Sequence, residues 1–176
     1  MEHFQRMAFK DLKSQIANAI KESCYYTEVR LYNIAHGVHH IPTFSLVPGQ
    51  ELAQDLIKII DVTIKDSVGV GCDLSIIVKG ILLGAFRAFP FIRQEAQMTI
   101  RLLANEILKP VFKYKGDTKE AIEGLLSGTI TITKEFKLNV LETIVVARED
   151  ILSSAQAISP QFADEIKEIF LNLNDS

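Results

Sequence analysis

Apolar residues recur every three to four positions along most of the chain, which is the spacing of an amphipathic helix. The last helix has the clearest signals, because Ser159 and Pro160 mark its start and one apolar stripe follows, with Phe162, Ile166, Ile169, Phe170 and Leu173. Comparable stripes predict earlier helices within 9–35, 50–66, 73–90, 92–110, 117–133 and 134–155. The pattern therefore predicts an all-α protein of six to seven helices.

Two segments depart from the helical spacing. Residues 37–50 carry both glycine and proline, which predicts a long loop. Thr129-Ile-Thr-Ile-Thr133 alternates with period two and is β-branched throughout, as strands often are. A single five-residue strand without a partner would leave its backbone groups unpaired. We therefore predict that this segment is also helical.

The chain contains a candidate internal repeat. A shift of 44 residues lays 73–108 over 117–152 without a gap and gives eight identities in 36 positions. Two-helix units with a period in this range stack to bury a shared core; chance similarity between two apolar helices is the alternative. The first 66 residues do not align, so we expect one domain over 1–176, a helical bundle in which 73–108 and 117–152 are related hairpins.

Each copy of this repeat carries a Gly-x-x-x-Gly pair, Gly80 with Gly84 in the first and Gly124 with Gly128 in the second. Glycine costs a helix about 1 kcal/mol relative to alanine, so four of them within predicted helices require a reason. Close approach of a neighbouring backbone is one such reason. We expect tight packing within the bundle; the alternative is a hairpin that packs in lipid or at a subunit interface.

The 21 residues between Asp73 and Glu95 contain no carboxylate. A helix this apolar is either the buried centre of a bundle or an element at a membrane surface. No cluster of four or more basic residues accompanies it. We therefore expect a central helix that begins with Asp73 as its N-cap, and membrane-surface binding through 74–93 is the alternative.

Three of the four histidines lie together at His36, His39 and His40. Metal sites often use histidines three or four residues apart on one helical face. Gly37 and Pro42 interrupt the helix here, and no acid or cysteine is adjacent, so metal binding by these histidines is a second alternative. No serine or cysteine stands out as a nucleophile that one of them would activate, so we expect no catalytic histidine.

Composition narrows the functional classes further. Hydrophobic residues make up 48% and charged residues 23%, which is typical of a folded domain. A net charge of −3 gives no basic surface for nucleic acid. Cys24 and Cys72 are too few for a disulfide framework, and the N-terminus lacks the apolar region of a secretory signal. We therefore expect a cytoplasmic protein.

These observations favour a non-enzymatic protein without a cofactor that self-associates or binds a protein partner through an apolar helical surface. The chain has more apolar positions than we expect a monomer to bury. It also lacks phosphate-binding and catalytic motifs. The sequence indicates no particular small-molecule ligand. The residues that we expect at this surface lie in the two glycine-containing helices: Lys79, Gly80, Gly84, Phe86, Arg87, Phe89, Gly124 and Gly128.

Overall fold

The computed structural model describes residues 48–88 and 96–174, and it confirms the predicted all-α bundle over these ranges. The six helices are α1 (Pro48–Gly69), α2 (Leu74–Ala88), α3 (Ala96–Lys113), α4 (Thr118–Glu135), α5 (Val140–Ile158) and α6 (Pro160–Asn174). None of these described helices has both the length and the apolar character of a membrane span. The helix predicted within 9–35 and most of the predicted loop, 37–47, lie outside the described residues.

Short polar side chains begin the helices of the repeat. Asp73 is an N-cap as predicted, because its Oδ1 accepts a hydrogen bond from the backbone N–H of Ser75 at 2.8 Å. Asp117 does the same for α4, where it accepts from the N–H of Glu120 at 2.9 Å. Such caps satisfy backbone donors that the first turn leaves without partners, and each typically contributes about 1 kcal/mol. The two aspartates lie at equivalent positions of the predicted repeat.

Three helices are each followed, two residues after their last residue, by a residue in the left-handed region. Gly71, Lys115 and Lys137 have φ angles of 67°, 56° and 55°. After each of them, the next N–H donates at 2.9 Å to a carbonyl five residues earlier: Cys72 to Ser67, Gly116 to Val111 and Leu138 to Thr133. This arrangement satisfies carbonyls at the helix end. Two of the three positions hold lysine rather than glycine, so residue identity marks these helix ends only weakly.

Helix α3 continues through Pro110 and ends at Lys113, three residues beyond the predicted segment 92–110. A proline inside a helix removes the hydrogen bond to the carbonyl four residues earlier, here that of Glu106. The chain still forms the following bond, from the Tyr114 N–H to the Pro110 carbonyl at 2.9 Å. One lost bond near the end of the helix is therefore tolerated.

Helix α4 runs through Thr129–Thr133, as predicted against the local alternation. Each threonine hydroxyl donates to a backbone carbonyl about one turn earlier: Thr129 to Leu125 at 2.8 Å, Thr131 to Ser127 at 3.0 Å and Thr133 to Ile130 at 2.7 Å. These bonds satisfy the hydroxyls inside the helix. The strand preference of the segment is overridden because Thr129, Ile132 and Thr133 are buried against neighbouring helices.

The helices form two layers. Helices α1, α3 and α5 lie side by side in layer A, and α2 and α4 lie side by side in layer B. Helix α6 packs on α5 and contacts α4 at the C-terminal end of the stack. Neighbours within layer B run parallel, since Val78 lies against Gly124 and Leu82, one turn further along α2, lies against Gly128.

Burial follows the 44-residue period in both layers. The seven buried positions of α4 between 118 and 129 each correspond to a buried position of α2. In layer A, the five buried positions of α1 between 59 and 67 each correspond to a buried position of α3. Helices α3 and α5 also begin 44 residues apart, at 96 and 140. The structural repeat therefore starts within α1, earlier than the sequence alignment indicates.

Candidate interaction surface

The carboxylate-free segment forms the centre of the bundle in its described part. Within α2, Ile77, Ile81 and Leu82 are completely buried, and Lys79 is half-buried. This burial matches the expectation of a central helix, because the stretch 74–85 presents its apolar side chains to α1, α3 and α4. Two other predicted residues, Phe86 and Arg87, belong to the last turn of α2, and Phe89 lies outside the described residues.

The four glycines of the repeat lie inside the bundle and not on an exposed surface. Gly80 and Gly84 are buried in α2. A Cβ atom on Gly124 would lie 2.6 Å from the carbonyl oxygen of Ser75, and one on Gly128 would lie 2.8 Å from Cδ2 of Leu82. Gly124 and Gly128 thus allow α4 to approach α2 of the same chain closely, as expected for tight packing within the bundle. The expectation that the four glycines take part in an interaction surface stays a prediction.

A different set of residues forms an exposed apolar surface. Exposed apolar side chains occur on all three helices of layer A, on the face turned away from layer B: Ile57 (43% exposed), Met98 (56%), Leu102 (59%), Leu141 (80%) and Val145 (56%). We call these five residues the outer strip. Eight large apolar side chains are exposed in the described part of the chain, and five of them form the outer strip. Single exposed apolar residues are ordinary, but a group across adjacent helices marks a candidate contact surface.

The repeat explains why these residues lie together. At the 44-residue shift, Ile57 of α1 corresponds to position 101 of α3 and to Val145 of α5. Position 101 lies between Met98 and Leu102 on the α3 surface. Because the three helices are neighbours with the same burial pattern, equivalent positions lie side by side across layer A.

Sequence reasoning missed the outer strip, although a signal was present. In the repeat alignment, Leu141 corresponds to Gln97 and Val145 corresponds to Arg101. Where one copy has an apolar residue and the other has a polar one, packing of the core does not require an apolar side chain at that position. Met98 and Leu102 likewise lie outside the buried stripe of α3, which includes Ile100 and Leu103.

One ion pair crosses the outer face of layer A. Nε of Arg101 lies 3.6 Å from Oδ1 of Asp150, whose side chain is only 16% exposed. Burial raises the pKa of Asp150 above its ordinary value of 3.8, while the Arg101 cation lowers it and the neighbouring Glu149 raises it. The pair therefore joins α3 to α5 and neutralises a carboxylate that is costly to bury.

A shallow cleft of about 360 Å³ lies between the start of α4 and the side of α6. Its lining includes Asp117, Glu165 and Glu168. Three carboxylates disfavour an anionic ligand, and Asp117 already accepts a hydrogen bond from the first turn of α4.

The structure places no metal site within 48–88 and 96–174, where three or more histidine, cysteine or acidic side chains never converge. The metal alternative named His36, His39 and His40, and these residues lie outside the described ranges. It therefore stays a prediction.

Comparison with known proteins leaves the function open. The chain matches no protein-family model, no curated protein and no solved structure. The outer strip is therefore the feature of the described residues on which a functional proposal rests.

Proposed function

We propose that the chain is a non-enzymatic helical protein that self-associates or binds a protein partner through the outer strip. The observation that carries this proposal is the adjacency of five exposed apolar side chains on three neighbouring helices. Fully burying one leucine, valine or methionine side chain contributes about 1.5–3 kcal/mol. Covering several of them together is enough to offset a substantial part of the cost of association.

The repeat supports a role for the strip that is separate from folding. Leu141 corresponds to Gln97 and Val145 corresponds to Arg101, and both of these polar residues are exposed in α3. The same structural positions therefore accept polar side chains in one copy of the repeat. In α5, Leu141 is 80% exposed and Val145 is 56% exposed. Most of the free energy that burial of these two side chains can contribute is therefore gained only when another surface covers them.

Stacked helical repeats often bind partners through the surface that runs across successive units. The outer strip likewise runs across successive units, since it crosses α1, α3 and α5 in turn. By contrast, the membrane-surface alternative depends on 74–93, and nine of the twelve residues 74–85 are buried within the bundle. The described residues thus favour protein association.

The test is the mass of the protein in solution, measured by light scattering. We expect the wild type to exceed the monomer mass and both Leu141→Glu and Val145→Glu to return towards it, because each places a charge in the strip. Leu171→Glu is the matched control, since Leu171 is 64% exposed on α6 and lies outside the strip. It should leave the mass unchanged.

A monomeric wild type is consistent with the proposal only if the strip is open to a partner. In that case the dye anilinonaphthalene sulfonate, which fluoresces on apolar surfaces, should bind the wild type more strongly than Leu141→Glu. A monomer whose dye fluorescence is the same in both proteins contradicts the proposal.

A further inference from the structure

We propose that the surface that covers the outer strip is a second copy of this chain, related to the first by a twofold axis parallel to α3. The inference rests on the proposed function and adds its partner and its geometry. In this arrangement α3 of one copy lies over α3 of the other, and α1 of each copy lies over α5 of its partner. Closed twofold dimers of this kind are the commonest symmetric assemblies.

The two ends of the strip carry opposite charges. On the outer face of α1, Lys58 follows Ile57 directly and Lys65 lies two turns beyond Lys58. On α5, Glu142 and Glu149 are exposed beside the apolar residues of the strip. Both pairs are separated by seven residues, which is about 10.5 Å along a helix. One end of the strip is therefore basic, the other is acidic, and the charges on each have the same spacing.

Among the described side chains on the outer face of α1, the carboxylate of Asp61 has cationic and hydrogen-bonding partners within the chain. Asp61 accepts a hydrogen bond from the Tyr114 hydroxyl at 2.9 Å and lies 3.4 Å from Nζ of Lys113. Its charge is thus compensated by α3 and by the turn that follows it. Lys58 and Lys65 therefore set the sign of the charge among the described side chains of this face.

The middle of the strip is neutralised in the same way. Arg101 pairs with Asp150 of α5, and Nζ of Lys109 lies 2.6 Å from Oε1 of Glu106 on α3 itself. These intrachain pairs leave Met98 as part of an apolar centre between a basic and an acidic end. Two copies of such a surface are complementary when the basic end of one faces the acidic end of the other.

The charges select one orientation of the second copy. A twofold axis parallel to α3 places the lysines of α1 over the glutamates of the partner's α5. At the 44-residue register, Lys58 corresponds to position 146 and Lys65 to position 153, so each lysine lies within about one helical turn of a glutamate, which its flexible stem can span. An axis perpendicular to the helices would instead place lysine over lysine, and like charges at an interface disfavour association.

The experiment is a charge exchange between two variants of the full chain. One variant carries Lys58→Glu and Lys65→Glu, and the other carries Glu142→Lys and Glu149→Lys. We expect the wild type to be a dimer by light scattering and each variant alone to be a monomer. An equimolar mixture of the two variants should recover the dimer mass with one chain of each kind, because their reversed ends match.

A control variant carries Lys119→Glu and Lys167→Glu, which make the same change of net charge at exposed positions of α4 and α6. It should remain a dimer. Circular dichroism should show the same helix content in every variant, and the recovery in the mixture requires folded chains on both sides.

Three results would overturn this inference. A wild-type monomer excludes the second copy, although its dye fluorescence still tests the proposed function separately. A wild-type dimer that Leu141→Glu disrupts but both charge-reversed variants retain leaves the proposed function standing and excludes the charge arrangement. Two monomeric variants that do not associate on mixing also exclude it.

Discussion

Glu120 of α4 caps the first turn of α2, because its Oε2 accepts a hydrogen bond from the backbone N–H of Leu74 at 2.9 Å. The N–H of Glu120 itself donates to Asp117, the N-cap of its own helix. One residue thus links the starts of the two parallel helices of layer B. A carboxylate at a helix N-terminus also interacts favourably with the partial positive charge of that terminus.

We expect Glu120→Ala to lower the free energy of unfolding by about 1–2 kcal/mol, because it leaves the Leu74 N–H without its charged acceptor. Urea denaturation followed by circular dichroism measures the change. The control is Glu123→Ala, which removes an exposed carboxylate 3.9 Å from Lys119 on the same helix. Exposed pairs of this kind contribute about 0–1 kcal/mol, so equal losses in the two variants would contradict a capping role for Glu120.

Thr63 is a polar residue at a core position of α1. Its side chain is completely buried, and its Oγ1 has no hydrogen-bond partner among the described residues. The equivalent positions of α3 and α5 hold Ile107 and Ile151. Thr63→Val keeps the shape of the side chain and removes the unpaired hydroxyl, so we expect it to raise the free energy of unfolding by about 1–3 kcal/mol.

Ser67→Ala provides the comparison for Thr63→Val, one turn further along α1. The Ser67 hydroxyl donates to the Thr63 carbonyl at 2.6 Å, so its removal deletes a satisfied group rather than an unsatisfied one. We expect no gain in stability from Ser67→Ala in the same thermal or urea measurement. A Thr63→Val variant that is less stable than the wild type would show that its hydroxyl has a partner.

Apolar spacing predicted the helices of the described chain because each helix buries one face, and the buried face sets the period of the sequence. It did not reveal that α1 belongs to the repeat. Thr63 and Ser67 stand where α3 has Ile107 and Val111, so residue identity is lost at positions where burial is retained. The burial pattern depends on which helices pack around each position. A single sequence does not contain that information.

Apolar spacing alone did not locate the exposed apolar surface either, and only the repeat alignment held a signal for it. Leu141 and Val145 are four residues apart, a spacing that also suits a buried stripe. Whether such a stripe is buried depends on which helices lie opposite it. The glycines, by contrast, were informative in the expected sense, since Gly124 and Gly128 mark the closest approach of α4 to α2.

These two glycines should differ in their tolerance of a methyl group. A Cβ on Gly124 would meet the backbone oxygen of Ser75 at 2.6 Å, whereas one on Gly128 would meet the end of the Leu82 side chain at 2.8 Å. A backbone oxygen moves only with its helix, while a leucine methyl can rotate away. We expect Gly124→Ala to destabilise the protein by about 1–3 kcal/mol.

Gly128→Ala is the matched control on the same helix. Alanine favours a helix over glycine by about 1 kcal/mol, which should offset most of the cost of moving the Leu82 side chain. Thermal unfolding should therefore give a melting temperature near that of the wild type for Gly128→Ala and a clearly lower one for Gly124→Ala. The reverse order would contradict the packing of α4 on α2.

Asp150 makes the stability of the protein depend on pH. Because burial raises its pKa in the folded state above the ordinary value of 3.8, the folded chain holds this proton more tightly than the unfolded chain does. As the pH rises from 3.8 through the raised pKa, the folded protein therefore loses stability from this group, and the loss is complete above that pKa. Asp150→Asn removes the titration and should remove this part of the pH dependence.

The difference in the free energy of unfolding between Asp150→Asn and the wild type should grow in favour of the variant as the pH rises. Relative to the wild type, the variant should be most stable at neutral pH. Its advantage should shrink as the pH falls through the raised pKa of Asp150 towards 3.8, and it should change little below 3.8, where Asp150 is protonated in both states. Arg101→Ala should enlarge the effect, since the Arg101 cation opposes the rise in the pKa. Urea unfolding of the three proteins across this pH range measures both differences. A constant difference between the Asp150→Asn variant and the wild type at every pH would show that Asp150 has the same pKa in the folded and unfolded chains.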